Sequence, residues 1–166
     1  GHLLKGSGVT SVQERPPYEA YAAIAASFAG LLATAGAVSR LLDRDPQCQT
    51  PLDFAILALA SFKAARTLAH DRVSAPVRAP FVEGEADAED EVPVRTGDMQ
   101  QAIGELVTCT RCVGTWIAAG LGTTQILAPR FGRLLTWTLA AGGLNDWLQA
   151  GFAALTAKAD ELGERA

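Results

Sequence analysis

The sequence predicts an all-α fold: an integral membrane four-helix bundle, built as two antiparallel hairpins, with a polar, acidic central loop. Three observations predict it. Residues 20–39, AYAAIAASFAGLLATAGAVS, carry no charge. Three further segments of helical length, rich in Ala, Leu and Gly, follow in the 166-residue chain. No stretch of useful length alternates apolar and polar residues with the period of two that a strand requires.

Taken in order, residues 1–17 read as a polar tail ending in Pro16-Pro17, without the basic-then-apolar order of a cleavable signal. The four-helix membrane domain is expected over 18–158, with its first helix at 18–40. Twenty uncharged residues rise about 30 Å, the thickness of a bilayer's hydrocarbon. Ala26, Gly30, Thr34 and Ala37 could form a seam for close helix contact, as lipid-embedded helices prefer. A soluble surface helix would show a polar stripe, and this one has none. The remaining alternative is the central helix of a soluble assembly.

The connector LLDRDPQCQTP, which carries Cys48, leads to a second helix at 52–70. Its uncharged part, FAILALASF, is too short to span alone. Lys63, Arg66 and His70 follow on one face, and long basic side chains can snorkel to the interface. The loop 71–107 begins with DRVSAPVRAPF, a proline-bearing turn expected against the membrane surface. EGEADAEDE (83–91) is expected to be solvated, because its acids lack the spacing of a calcium-binding loop. DMQQAIGELV (98–107) suits a short amphipathic helix at the interface.

A third helix is expected at 108–128, stopping at Pro129, and APRFGR reads as a tight connector. The fourth helix, 134–157, places Asn145 and Asp146 near its middle between Trp137 and Trp147, and a polar tail, 159–166, closes the chain. With four spans, both termini and the 71–111 loop share a side bearing Lys5, Arg15, Arg72, Arg78, Arg95, Arg111, Lys158 and Arg165. The other side carries Arg40, Arg44, Arg130 and Arg133. That excess puts both termini in the cytoplasm of a multi-pass protein of the bacterial cytoplasmic membrane.

A net charge of −4 argues against a nucleic-acid partner. Three cysteines make no disulfide scaffold. No GxSxG, Walker A or HExxH pattern supplies a nucleophile, phosphate loop or zinc pair.

Several runs carry a family likeness: LDFAILALASFKAARTLAHDRVSAPVRAPF, then IGELVTCTRCVGTWIA, and later LNDWLQAGFAAL. Together they resemble the small bacterial membrane proteins of domain-of-unknown-function family 1360, over about residues 52–156. The motif positions are Arg66, Asp71, Arg78, Pro80, Phe81, Gly104, Glu105, Leu106, Cys109, Cys112, Gly114 and Trp116. Two positions depart from it: Thr110 stands where proline is usual between the cysteines, and Thr67 separates Arg66 from Leu68. The resemblance implies a membrane location, no enzyme class, and for some members a link to sporulation.

Cys109 and Cys112 admit three readings. Zinc requires four ligands, so His70 and Asp71 or a second protomer would have to complete the set. A redox couple would draw on the helix dipole and on Arg111 to favour the thiolate, although no βαβ pattern accompanies the motif. The favoured reading is structural: small soft side chains beside Gly114 and Trp116 fix the loop onto the bundle, and no cofactor is implied. Asp146 near mid-span requires a partner, for which Lys63 and Arg66 are the candidates.

The function expected is that of a non-enzymatic membrane subunit. It would anchor or assemble a larger complex, homo- or hetero-oligomeric, through its helix faces and the 71–111 loop. The alternative is a membrane thiol-disulfide oxidoreductase or a metal-binding protein using Cys109 and Cys112.

Overall fold

The computed structural model describes residues 16–44, 49–84 and 91–164. Cys48, most of the acidic stretch and nearly all of the N-terminal tail lie outside the described residues. Within them the chain is mostly helical. Its order is α1 (Tyr18–Leu41), α2 (Pro51–His70), a 3-10 turn (Arg72–Ser74), α3 (Ala75–Arg78), β1 (Val82–Glu83), β2 (Val92–Pro93), α4 (Met99–Thr108), α5 (Thr110–Leu127) and α6 (Pro129–Glu164).

Local chemistry sets the helix starts. Thr50 caps α2 through a reciprocal capping box: its hydroxyl accepts from the Asp53 amide at 3.2 Å, and Asp53 Oδ2 accepts from the Thr50 amide at 2.9 Å. Pro51 follows at the first helical position, where its missing N–H costs nothing. Asp98 caps α4 by accepting from the Gln100 amide at 2.8 Å. The Thr96 hydroxyl, and after it that amide, hold the Asp98 carboxyl below the usual carboxylate range. Cys109 caps α5, its Sγ accepting from the Cys112 amide at 3.3 Å.

Three expected boundaries change and one element is added. The short helix expected at 98–107 forms as α4, and the expected third helix, 108–128, starts instead at Thr110 after Cys109, whose extended backbone (φ −95°, ψ 102°) turns the chain. The fourth helix begins at Pro129 rather than 134, because a proline suits a first helical turn, so α5 and α6 are joined through Ala128 alone. It also runs on through the expected C-terminal tail to Glu164. Charged residues there are good helix formers, and Lys158 pairs with Glu161 at 2.7 Å. Finally, a sheet was not expected, yet β1 and β2 pair antiparallel with Val82 opposite Pro93 and Glu83 opposite Val92.

Packing differs from two equal hairpins. α2, α5 and α6 form the central three-helix unit around Ala60, Leu121 and Ala140, with Ile56, Leu57, Leu59, Ile117, Leu135 and Leu139 packed against them. The principal contacts of α1 are with α5 and α4 rather than with α2. Phe28 of α1 meets Trp116 of α5 edge-on, with ring centroids 5.0 Å apart. Most of the helix is exposed: 6% of its most apolar window is buried. Its seam residues Ala26, Gly30, Thr34 and Ala37 are all exposed.

The α5–α6 corner depends on one glycine. A Cβ at Gly132 would fall 2.5 Å from the Gln125 amide nitrogen and 2.6 Å from its Cα, which is backbone and cannot swing aside. Gly132→Ala is therefore expected to push the two helices apart and cost about 1–3 kcal/mol, as overpacking does. Thermal melting of the two purified proteins checks it; an unchanged midpoint would show that the corner is loose.

Candidate functional site

At the end of the bundle formed by the C-terminus of α2 and the N-terminus of α5, residues 71–84 and 91–108 fold into a cap. Its centre is Arg78, which is completely buried. Nε donates to Glu91 Oε2 at 2.5 Å and Nη2 to Glu91 Oε1 at 3.0 Å, a side-on fork of charge-assisted bonds. Nη1 faces the Leu68 carbonyl (2.7 Å), the Asp71 carbonyl (3.0 Å) and the Ser74 hydroxyl (2.8 Å). The last carbonyls of a helix lack intrahelical donors, so this guanidinium closes α2 as well as neutralising an acid. Ser74 joins the arrangement, its hydroxyl directed at the Thr67, Leu68 and Asp71 carbonyls.

The other motif residues complete the same cap. Pro80 accepts from Gln100 Nε2 at 2.7 Å, and the Phe81 carbonyl accepts from the Val94 amide at 3.1 Å. That carbonyl lies directly over Gly104, where any Cβ would collide with it, so α4 seats against the loop only through a glycine. The next residue, Glu105, accepts from Gln101 Nε2 at 2.9 Å and from the Tyr21 hydroxyl of α1. Glu105 thus ties the cap to α1, while Trp116 ties α5 to it through Phe28.

Cys109 and Cys112 are joined as a disulfide at the start of α5, with Cα atoms 5.3 Å apart. Cys112 and Glu105 line an apolar recess between α1 and α4–α5, bordered by Phe28 and Trp116. Among the described residues no three His, Cys, Asp or Glu side chains come together as metal ligands. The zinc set of Cys109, Cys112, His70 and Asp71 is therefore not assembled: the two sulfurs are bonded to each other.

Lys63 and Asp146 meet, Nζ to Oδ2 at 2.8 Å, with 26% and 43% of their side-chain surfaces exposed. Phe62 and Trp147, their chain neighbours, pack at 6.2 Å beside them. Arg66 lines the same shallow groove, but Lys63 is the residue that engages the acid.

Sequence reasoning missed Glu91, Ser74, Tyr21 and Gln101. Glu91 was absorbed into the acidic stretch. The signal that separates it is its place immediately before Val92-Pro93-Val94, whose last residue is buried. Tyr21 carried no signal, since only the docking of α1 on α4 brings it to Glu105.

Comparison with known proteins gives three findings. A family model described as a protein of unknown function (DUF1360) matches residues 56–152. The chain is similar to the sporulation protein YjcA of Bacillus subtilis, at 31% identity over 59% of this chain and 95% of that relative. It is also similar to the UPF0713 protein YngL of the same organism, at 26% identity over 59% of this chain and 76% of that relative. No solved structure matches. The family match takes in most of the three-helix unit, from within α2 to within α6, together with the cap, and leaves α1 outside.

Proposed function

We propose a function from one premise: this chain belongs to the DUF1360 family of proteins of unknown function. It is a non-enzymatic subunit of a bacterial cytoplasmic membrane, crossing it four times with both termini in the cytoplasm, and it assembles with other membrane proteins through α1 and the cap.

The observation that carries this reading is an inverted distribution of polarity. The largest fully buried side chains are Arg78 and Thr136, whereas Leu31, Phe54, Phe131, Leu134, Trp137, Leu148 and Phe152 lie exposed on the helices. An aqueous chain of this length would turn such residues inward. Lipid removes the penalty for leaving them outside.

The hydroxyls behave accordingly. Ser27, Thr34, Thr124 and Thr138 each donate to the carbonyl four residues back, at 2.7–2.8 Å, so none of these four hydroxyls needs water. By composition alone, α1 is the one described helix long and apolar enough to cross a bilayer. α2, α5 and α6 cross as a unit in this reading, with the Lys63–Asp146 pair neutralising one charge on each of α2 and α6. The small-residue seam of α1 has no partner within the described residues, and such seams suit a neighbouring membrane helix.

The test is extraction. The native protein is expected to stay in the pellet through alkaline carbonate, to enter solution with mild detergent, and to emerge with a co-purifying membrane protein. Release by carbonate alone would overturn it.

One observation favours a second reading. The bonded Cys109–Cys112 pair beside the Glu105 recess is the oxidised half of a dithiol–disulfide couple: one thiolate of a substrate dithiol would attack a Cys109–Cys112 sulfur, and the second would resolve the mixed disulfide, leaving an oxidised substrate and Cys109 and Cys112 as thiols. Cys109→Ser with Cys112→Ser separates the two: an assembly subunit keeps its partner, whereas a thiol oxidoreductase loses all exchange activity.

A further inference from the structure

A second groove, of about 610 Å³, runs between the later half of α2 and the early half of α5. Small side chains make its floor: Ala65 on α2, Gly114 and Ala118 on α5. A Cβ at Gly114 would stand 3.6 Å from that of Ala65, so the glycine leaves a furrow rather than a forced contact. At one end the furrow opens between Arg66, His70 and Arg111, which come from both helices. Arg66 and Arg111 are exposed, and among the described residues neither side chain makes a hydrogen bond or ion pair.

No carboxylate lines this groove. Asp71 and Asp146 border the adjacent one, where Lys63 already engages Asp146. A bundle that turns two unpaired guanidiniums and an imidazole toward the mouth of an apolar furrow is complementary to a ligand with an anionic head and a hydrocarbon chain.

We propose that this groove holds an anionic phospholipid, its phosphate between Arg66 and Arg111 and one acyl chain along Ala65, Gly114 and Ala118. The proposal rests on the membrane reading above. Guanidinium forks match phosphate oxygens in geometry and in charge. Basic pockets between membrane helices on the cytoplasmic side select acidic head groups. A zwitterionic lipid offers the same phosphate together with a cation that both arginines repel, so the site discriminates by net charge.

Native mass spectrometry of the full detergent-purified chain tests it, with phosphatidylglycerol, phosphatidylcholine and inorganic phosphate as separate additions. Phosphatidylglycerol is expected to be retained at least about tenfold better than phosphatidylcholine, each surface cation being worth about fivefold. Arg66→Ala with Arg111→Ala is expected to abolish the preference, Arg66→Lys with Arg111→Lys to keep most of it, and Arg130→Ala with Arg133→Ala to leave it intact. Equal retention of the two lipids, or a preference that survives the Arg66/Arg111 alanine pair, overturns the site. Displacement of phosphatidylglycerol by equimolar inorganic phosphate overturns the lipid assignment in favour of a free-anion site. A carbonate-resistant chain without lipid preference sinks this proposal alone, whereas a chain released by carbonate sinks the membrane reading with it.

Discussion

Arg78→Met is expected to destabilise the protein by about 3–5 kcal/mol, the usual cost of removing one member of a buried ion pair. The loss arises at two places. Glu91, with 5% of its side chain exposed, keeps a carboxylate that no longer has a counter-charge. The Leu68 and Asp71 carbonyls lose the guanidinium that closed the end of α2. Glu91→Met strands the arginine and should cost a similar amount. The double substitution is expected to recover much of the Glu91 contribution, since a buried pair replaced by apolar residues of similar size is often nearly neutral. It should recover less of the carbonyl contribution. Melting of the four proteins in one detergent closes the cycle. Additive losses would mean that Arg78 and Glu91 are not coupled, and a near-neutral Arg78→Met would mean that the cap is not built around this side chain.

Asp146→Ala is expected to cost about 2–3 kcal/mol in detergent or bilayer, the scale of an unpaired charge on a membrane helix. Asp146→Asn should cost less, because the amide oxygen can still accept from Lys63. Lys63→Met with Asp146→Leu should restore most of the loss. The magnitude itself reports on the solvent. With 26% and 43% of the side chains exposed, the same pair in water would contribute about 0–1 kcal/mol. A loss below about 0.5 kcal/mol for Asp146→Ala would place the pair in water.

The helices were readable where one physical cue dominated. An uncharged run marked α1, and the apolar run FAILALASF after a proline-bearing connector marked α2. The α4–α5 junction was legible to within two residues as a change from an amphipathic to an uncharged helix, but the turn at Cys109 itself was not, because composition is helical on both sides. Only its backbone angles show the break. The end of α6 was misjudged for the opposite reason: charge was taken as the sign of a tail, while Ala, Lys, Leu and Glu continue a helix whether or not it is packed.

For the site, the motif residues were visible but their partners were not. Arg78, Gly104 and Glu105 stood out through the family resemblance, yet what each touches (Glu91, the Phe81 carbonyl, Tyr21) is settled by how the cap folds back on α2 and how α1 leans on α4. The Lys63–Asp146 contact could be anticipated, because a lone acid on an apolar helix restricts its partners to the few cations at the same depth. α1 packs apart from α2, and its docking on α5 rests on Phe28 against Trp116, a pairing 88 residues apart that no local pattern announces.

The central claim is that lipid is the solvent of the exposed apolar belt. Spin labels placed singly at Leu31, Phe54 and Leu134, in a cysteine-free variant reconstituted into vesicles, test it most directly. Collision with dissolved oxygen is predicted to exceed collision with an aqueous nickel chelate at all three positions, with the reverse at Arg95 in the cap. Ready access of the chelate to Leu31, Phe54 and Leu134 would show that water covers the belt, and would contradict the account.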